Sequence, residues 1–169
     1  MLCGFSDPIK PIVKHIHMVE QAKDLSTNPN IRIQQVYKLA LDVWQGDQIR
    51  ARLCVSQAIL ESALDQPTIS KLALKNNLFG IKGKGTAGHA RFATIEGKST
   101  RTHANFAANK TLKDSFLRYK TLIESSSTYE KVLTARTLQA AIHAMANSGY
   151  ATDPHYEAKL IRRSKLIKV

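Results

Sequence analysis

Cysteine is nearly absent: Cys3 and Cys54 are the only two in 169 residues. One stands near a terminus and the other inside an apolar stretch, where a thiol acts as a small hydrophobe. No disulfide framework is implied, and folding does not depend on oxidation. No apolar run approaches the roughly 18 residues of a membrane span. Met1-Leu2-Cys3-Gly4-Phe5-Ser6-Asp7-Pro8 lacks the basic start and long apolar stretch of a secretory signal, so action outside the cytoplasm would need another carrier. Metal-ligand spacing is missing as well. His15 and His17 are two apart, His89 and His103 flank Glu96 with no cysteine nearby, and no histidine pair has helical i, i+4 spacing. No metal and no cofactor is expected. Acid is scarce, with 13 Asp and Glu against 25 Lys and Arg and a net charge of +12. That surplus points to an anionic partner. Aromatic interleaving and a nucleic-acid motif are absent, so nucleic acid is not the expected partner. The basic residues are dispersed except at Lys159 to Lys165, which reads as a solvated helix end.

The length suits one domain, and a hydrophobic fraction of 43% excludes disorder. Residues 1–29 read as an arm: Pro8 and Pro11 come early, Ile12, Ile16 and Val19 keep helical spacing, and Ser26-Thr27-Asn28-Pro29-Asn30 breaks the pattern. Residues 30–169 form the domain proper. A helix from Ile31 carries Val36, Leu39, Ala40 and Val43 and stops near Gly46. A helix from about Asp47 to Leu64 is apolar on more than one face and is expected to be central. A short turn covers Lys71 to Lys75. Arg91 to Glu96 and Thr102 to Phe106 read as a hairpin. Thr111-Leu112-Lys113-Asp114 resembles a capping box, opening a helix with Leu112, Phe116, Tyr119 and Ile123 on one face. Helices follow over Tyr129–Leu133 and Leu138–Asn147. A last one is expected to start with Asp153 as N-cap and Pro154 at its first position. Trp44 and His143 read as packed side chains. The fold class is α+β, mostly α, with a small β-hairpin lobe inserted into a helical one.

The chemistry centres on Glu61, near the end of the apolar helix. A carboxylate bordered by Ile59, Leu60 and Leu64 is partly desolvated, which disfavours its charged form and raises its pKa, as a general acid near neutral pH requires. An acid on a buried helix facing a β lobe is the arrangement of a lysozyme-like cleft.

Four segments carry a closer resemblance: Ser56-Gln57-Ala58-Ile59-Leu60-Glu61-Ser62, Asn76-Asn77-Leu78-Phe79-Gly80-Ile81-Lys82, Phe116-Leu117-Arg118-Tyr119 with its Ser-rich sequel and Tyr129, and Ser148-Gly149-Tyr150-Ala151-Thr152-Asp153-Pro154-His155-Tyr156. In this order they resemble the glucosaminidase family of peptidoglycan hydrolases, and the resemblance spans about residues 50 to 162. It implies that Glu61 protonates the glycosidic oxygen, and that Tyr150 lines the cleft near the reacting centre. It also implies that Asn77, Phe79, Gly80 and Tyr119 belong to the substrate-binding region. Asn77, Phe79 and Gly80 either touch substrate or support the lobe. Thr94-Ile95-Glu96 matches the context in which the family carries its second carboxylate, and Glu96 is either that group or a plain hairpin residue. After Glu61-Ser62 the family commonly shows Gly-Trp-Gly, whereas Ala63-Leu64-Asp65 stands here, which removes an aromatic from the cleft.

The implied function is hydrolysis of peptidoglycan glycan strands by an endo-β-N-acetylglucosaminidase. The alternatives are a lytic transglycosylase or N-acetylmuramidase using Glu61 alone, and a non-catalytic basic structural or nucleic-acid-binding module on the same fold. A compact chain without a leader suits a bacteriophage enzyme, either an endolysin waiting in the host cytoplasm or a virion tail or baseplate component. Residues 1–29 would then dock on other tail proteins, or simply extend the helical lobe.

Overall fold

The computed structural model describes residues 19–96 and 100–169. Helix α1, Pro29–Val43, starts where the Asn28 side chain accepts from the backbone N–H groups of Asn30 and Ile31, with Pro29 in the first turn. It stops at Trp44, and Gly46 follows at φ +84°. Helix α2, Gln48–Ser62, is capped by Asp47 and ends at Ala63, which takes a left-handed φ of +55°. Its buried residues lie all round it (Leu53, Cys54, Val55, Ala58 and Ile59 among them), because α1, α5 (Leu138–Ala146) and α6 (Tyr156–Ser164) pack against it from different sides. Helix α3, Leu112–Glu124, opens on the expected capping box, with Thr111 and Asp114 each bonding the other's backbone N–H. It buries Leu112, Phe116, Tyr119 and Ile123 on one face. Helix α4, Glu130–Thr134, follows a short turn.

Strands β1, His89–Glu96, and β2, Thr100–Ala107, pair antiparallel with His89 opposite Ala107 and Glu96 opposite Thr100. The chain before β1 runs beside β2: the Ala107 N–H donates to the Ile81 carbonyl at 2.9 Å and the Gly83 N–H to that of Asn105 at 2.8 Å. A two-stranded ribbon is marginal alone. This one is tied to the helices by two buried amides. Asn76 accepts from the Ala22 N–H at 2.8 Å and donates to the Asn109 carbonyl at 3.1 Å. Asn77 donates to the carbonyls of Ile81 and Ala107 and accepts from the Ile81 N–H.

Two expectations change, at the start of the last helix and at His143. The described part of the segment drawn over residues 1–29 packs against the helices. Ala22 and Leu25 belong to the core, the Gln21 side chain accepts from Asn76, and the Glu20 carbonyl accepts from Leu112 N–H. Residues 1–18, with Cys3, His15 and His17, lie outside the described residues. The last helix begins at Tyr156, two residues later than expected. Asp153 instead makes a turn of its own, its carboxylate accepting from His155 N–H at 2.9 Å and its carbonyl from Tyr156 N–H at 3.0 Å. His143 is exposed and lies 3.2 Å from the Glu157 carboxylate, so it is not a packed side chain.

Arg32 joins α1 to the end of α2. Its buried guanidinium donates to four carbonyls: Ser26 at 2.8 Å, Thr27 at 3.0 Å, Leu64 at 3.2 Å and Gln66 at 2.9 Å. Substituting Arg32→Met keeps the apolar stem but strands those acceptors. We expect a loss of about 3 kcal/mol in urea unfolding at constant m value; a loss under about 1 kcal/mol would show that water replaces the guanidinium freely.

Candidate active site

Glu61 sits one residue before the end of α2. Helical periodicity turns Ile59 and Ser62 into the core, where the Ser62 hydroxyl donates to the Leu78 carbonyl at 2.8 Å. It leaves Leu60 and Glu61 facing a cleft of about 900 Å³. Phe79, Gly80, Ile81 and Lys82, in the turn after α2, line one side of that cleft, together with Phe106 from β2. Gly149 to Asp153 and Tyr156 line the other. The β lobe therefore contributes a wall, and the helical lobe the floor and the facing loop.

The electrostatics separate the two described carboxylates of the cleft. Glu61 is open to the cleft, yet protein surrounds it on most sides, and this loss of hydration pushes its pKa above the ordinary glutamate range. The carbonyl end of α2 acts in the same direction. A hydrogen bond from the Tyr156 hydroxyl, 3.4 Å from Oε1, pulls it partway back. Asp153 moves the other way: Lys159 and the His155 N–H hold its carboxyl below the usual range. The two carboxyls are thus pushed apart, Glu61 upward and Asp153 downward.

Behind Glu61 runs a line of polar contacts. Tyr156 accepts at 3.0 Å from the Gln57 amide nitrogen, and the Gln57 carbonyl accepts from the Tyr119 hydroxyl. Tyr150 flanks this line. Its ring lies nearly parallel to that of Tyr156, 6.1 Å away, and its hydroxyl is 3.4 Å from the Phe79 carbonyl. Burial pushes both phenols up, so both are neutral donors at any ordinary pH.

The structure brings Glu61, Tyr150, Phe79 and Gly80 together on the cleft. Gly80 takes φ +63°, a left-handed turn that carries the chain from Phe79 to the ribbon. Phe79 is nearly buried, stacked on Tyr119 at 4.4 Å and edge-on to Phe116 at 5.2 Å. Asn77 and Tyr119 stand behind the wall. The Asn77 amide is committed to backbone groups of Ile81 and Ala107, and Tyr119 is 1% exposed with its hydroxyl on Gln57. Neither is among the residues that line the cleft. Glu96 closes β1 opposite Thr100, and its side chain lies outside the described residues. Gln57 and Tyr156 stand next to Glu61 in this line, and the sequence reading did not name either as a site member. The available signal was a polar amide four residues before Glu61, on the same face of an otherwise apolar helix.

Comparison with known proteins follows the same outline. The sequence profile of the family Glucosaminidase, described as mannosyl-glycoprotein endo-beta-N-acetylglucosaminidase, matches residues 37–168. The chain is 34% identical over 124 residues to the exo-glucosaminidase LytG of Bacillus subtilis, covering 64% of this chain and 40% of LytG. It is 30% identical over 131 residues to the peptidoglycan hydrolase FlgJ of Escherichia coli, covering 73% of this chain and 42% of FlgJ. It thus spans about two fifths of the length of these two curated relatives. The catalytic domain of the autolysin Auto from Listeria monocytogenes superposes with a TM-score of 0.66 at 28% identity, covering 78% of this chain and 79% of that one. A C-terminally truncated glycoside hydrolase domain of Salmonella typhimurium FlgJ gives 0.63 at 26% identity, covering 83% and 96%.

A raised folded pKa means that the native chain holds the Glu61 proton more tightly than the unfolded chain. Stability therefore falls as pH rises from the ordinary glutamate value, about 4.3, through the higher folded one. Substituting Glu61→Gln removes that penalty. We expect the variant to melt above the wild type at pH 7, with the difference closing once the pH drops below about 4.3. A lower melting temperature at pH 7 would place Glu61 among the stabilising charges instead.

Proposed function

The chain belongs to the glucosaminidase family of peptidoglycan hydrolases, and from that premise we propose that it cleaves peptidoglycan glycan strands as an endo-β-N-acetylglucosaminidase with Glu61 as general acid. The observation that carries the reading is a carboxyl at the foot of a cleft, raised by burial and touched by a phenol donor. The sugar leaving group is poor until protonated, so a neutral carboxylic acid beside the glycosidic oxygen is the first requirement of the reaction. Glu61, pushed upward by burial, suits that role better than Asp153, which Lys159 holds below the usual range. Leu60 and Phe106 offer apolar surface to sugar faces, and the Tyr150 hydroxyl offers a donor for an N-acetyl group. The substrate class follows from the relatives, one an exo-glucosaminidase and another a peptidoglycan hydrolase by name.

Glu96 is the second carboxylate in this reading. It ends the Thr94-Ile95-Glu96 segment, which matches the context in which the family carries that group. Such a carboxylate activates water or steadies the oxocarbenium-like transition state.

Mass spectrometry of digested cell walls tests the reaction. Reducing-end N-acetylglucosamine is expected, and 1,6-anhydromuramic ends would instead make the chain a lytic transglycosylase. We expect Glu61→Gln to cut the lysis rate by about 10³-fold or more with the fold retained, and Glu96→Gln to cut it by about 10²-fold. Full lysis by the Glu61 variant would remove the central assignment.

A further inference from the structure

The contacts behind Glu61 have a direction, and it is set by buried side chains. An ionised Glu61 has no proton to give, so its 3.4 Å contact with Tyr156 is a hydrogen bond only if the phenol donates. The Tyr156 oxygen then has room for a donor on its other side, and the Gln57 amide nitrogen fills that place at 3.0 Å. With its nitrogen on Tyr156, Gln57 turns its carbonyl to Tyr119, whose hydroxyl donates to it. Gln57 is 0% and Tyr119 1% exposed, so neither can exchange its partner for water. Turned the other way, Gln57 would take the Tyr156 proton, and the phenol would face the carboxylate with lone pairs.

We infer that Gln57 is a positioning residue for Glu61, holding the Tyr156 hydroxyl in the orientation that donates to the carboxylate. The inference rests on the reading of Glu61 as general acid. In the reaction Glu61 passes its proton to the leaving oxygen, and the carboxylate left behind meets a donor already turned toward it. Tyr156 keeps its own proton throughout. An arrangement that needs no rotation at that moment is electrostatic preorganisation of the acid's conjugate base. The other titratable groups described around the cleft are Tyr129, Tyr150, Asp153, Lys82 and Lys159.

The test is a carboxyl carbon NMR titration of Glu61, assigned by comparison with Glu61→Gln, in the full chain and its Gln57→Met, Tyr156→Phe and doubly substituted forms. Removing a donor from the carboxylate disfavours ionisation, so Tyr156→Phe is expected to raise the Glu61 pKa by on the order of half to one unit. Gln57→Met should raise it in the same sense, and the double variant should go no further than Tyr156→Phe alone, because the effect of Gln57 passes through the phenol. The alkaline limb of the wall-lysis pH profile should move with it. If Gln57 only fills space, Gln57→Met will titrate like the wild type, or the two shifts will add; either result overturns the inference. Should Gln57→Met fail to fold, Tyr119→Phe keeps the ring and removes the donor that holds the amide. A smaller upward shift is expected from it, and no shift would overturn the inference. The titration reads Glu61 whether or not walls are digested. A wild-type chain that lyses no wall would count against the proposed reaction and leave the titration result standing.

Discussion

Two adjacent amides hold this structure in its working shape. Asn76 and Asn77 sit where the chain leaves the helical lobe, and between them they bond the segment at Gln21 and Ala22, the turn at Ile81, the end of β2 at Ala107, and the loop at Asn109 and Lys110. Asn109 returns the contact, donating to the Asn76 carbonyl at 2.8 Å. A ribbon of two strands has no core of its own, so its position relative to the helices depends on such bonds, joined by those of Arg118 and Asp114 on α3 to Lys82, Lys84 and Thr86. They place Phe79 over Tyr119 and Phe106 on the cleft, and so decide how wide the space above Glu61 is. Buried amides with every group satisfied fix one geometry where apolar contacts would tolerate several.

Much of the fold is legible in the sequence because its signals are local. The capping box at Thr111, the apolar girdle of α2 and the turn-rich segment before β1 each declare themselves within a few residues. The start of α6 misleads, since Asp-Pro is a good helix opening that also makes an independent turn. The fate of Gln21 and Ala22 is illegible for a different reason: what docks them is the side chain of Asn76, more than fifty positions away in the chain. A phage enzyme and a bacterium's own hydrolase need the same cleft, so the bacteriophage setting read from the sequence has no counterpart in the fold.

The site divides in the same way. Glu61, Tyr150, Phe79 and Gly80 are readable from motif and chemistry, and all four face the cleft. Asn77 and Tyr119 are readable as important but not as to which side of the wall they occupy, because a motif marks a position and not a direction. Asn77 is claimed by backbone groups and Tyr119 by an amide inside α2. Gln57 and Tyr156 escape because their role exists only in their pairing, across 99 positions of chain. Each is an unremarkable polar residue until the helices pack.

Arg32 gives Glu61 a mounting that does not titrate. The helix that carries Glu61 ends at Ala63, and the carbonyls of Leu64 and Gln66 just beyond are gripped by a guanidinium whose hydrogen-bond partners are all backbone oxygens. Burial lowers the pKa of that guanidinium, yet arginine starts so far above neutrality that the cation persists at any ordinary pH. Had the joint been a carboxylate–lysine pair, acidification would loosen the floor of the cleft in the same range that charges or discharges Glu61. Here the two are insulated: the proton on the working group can come and go while its support registers nothing.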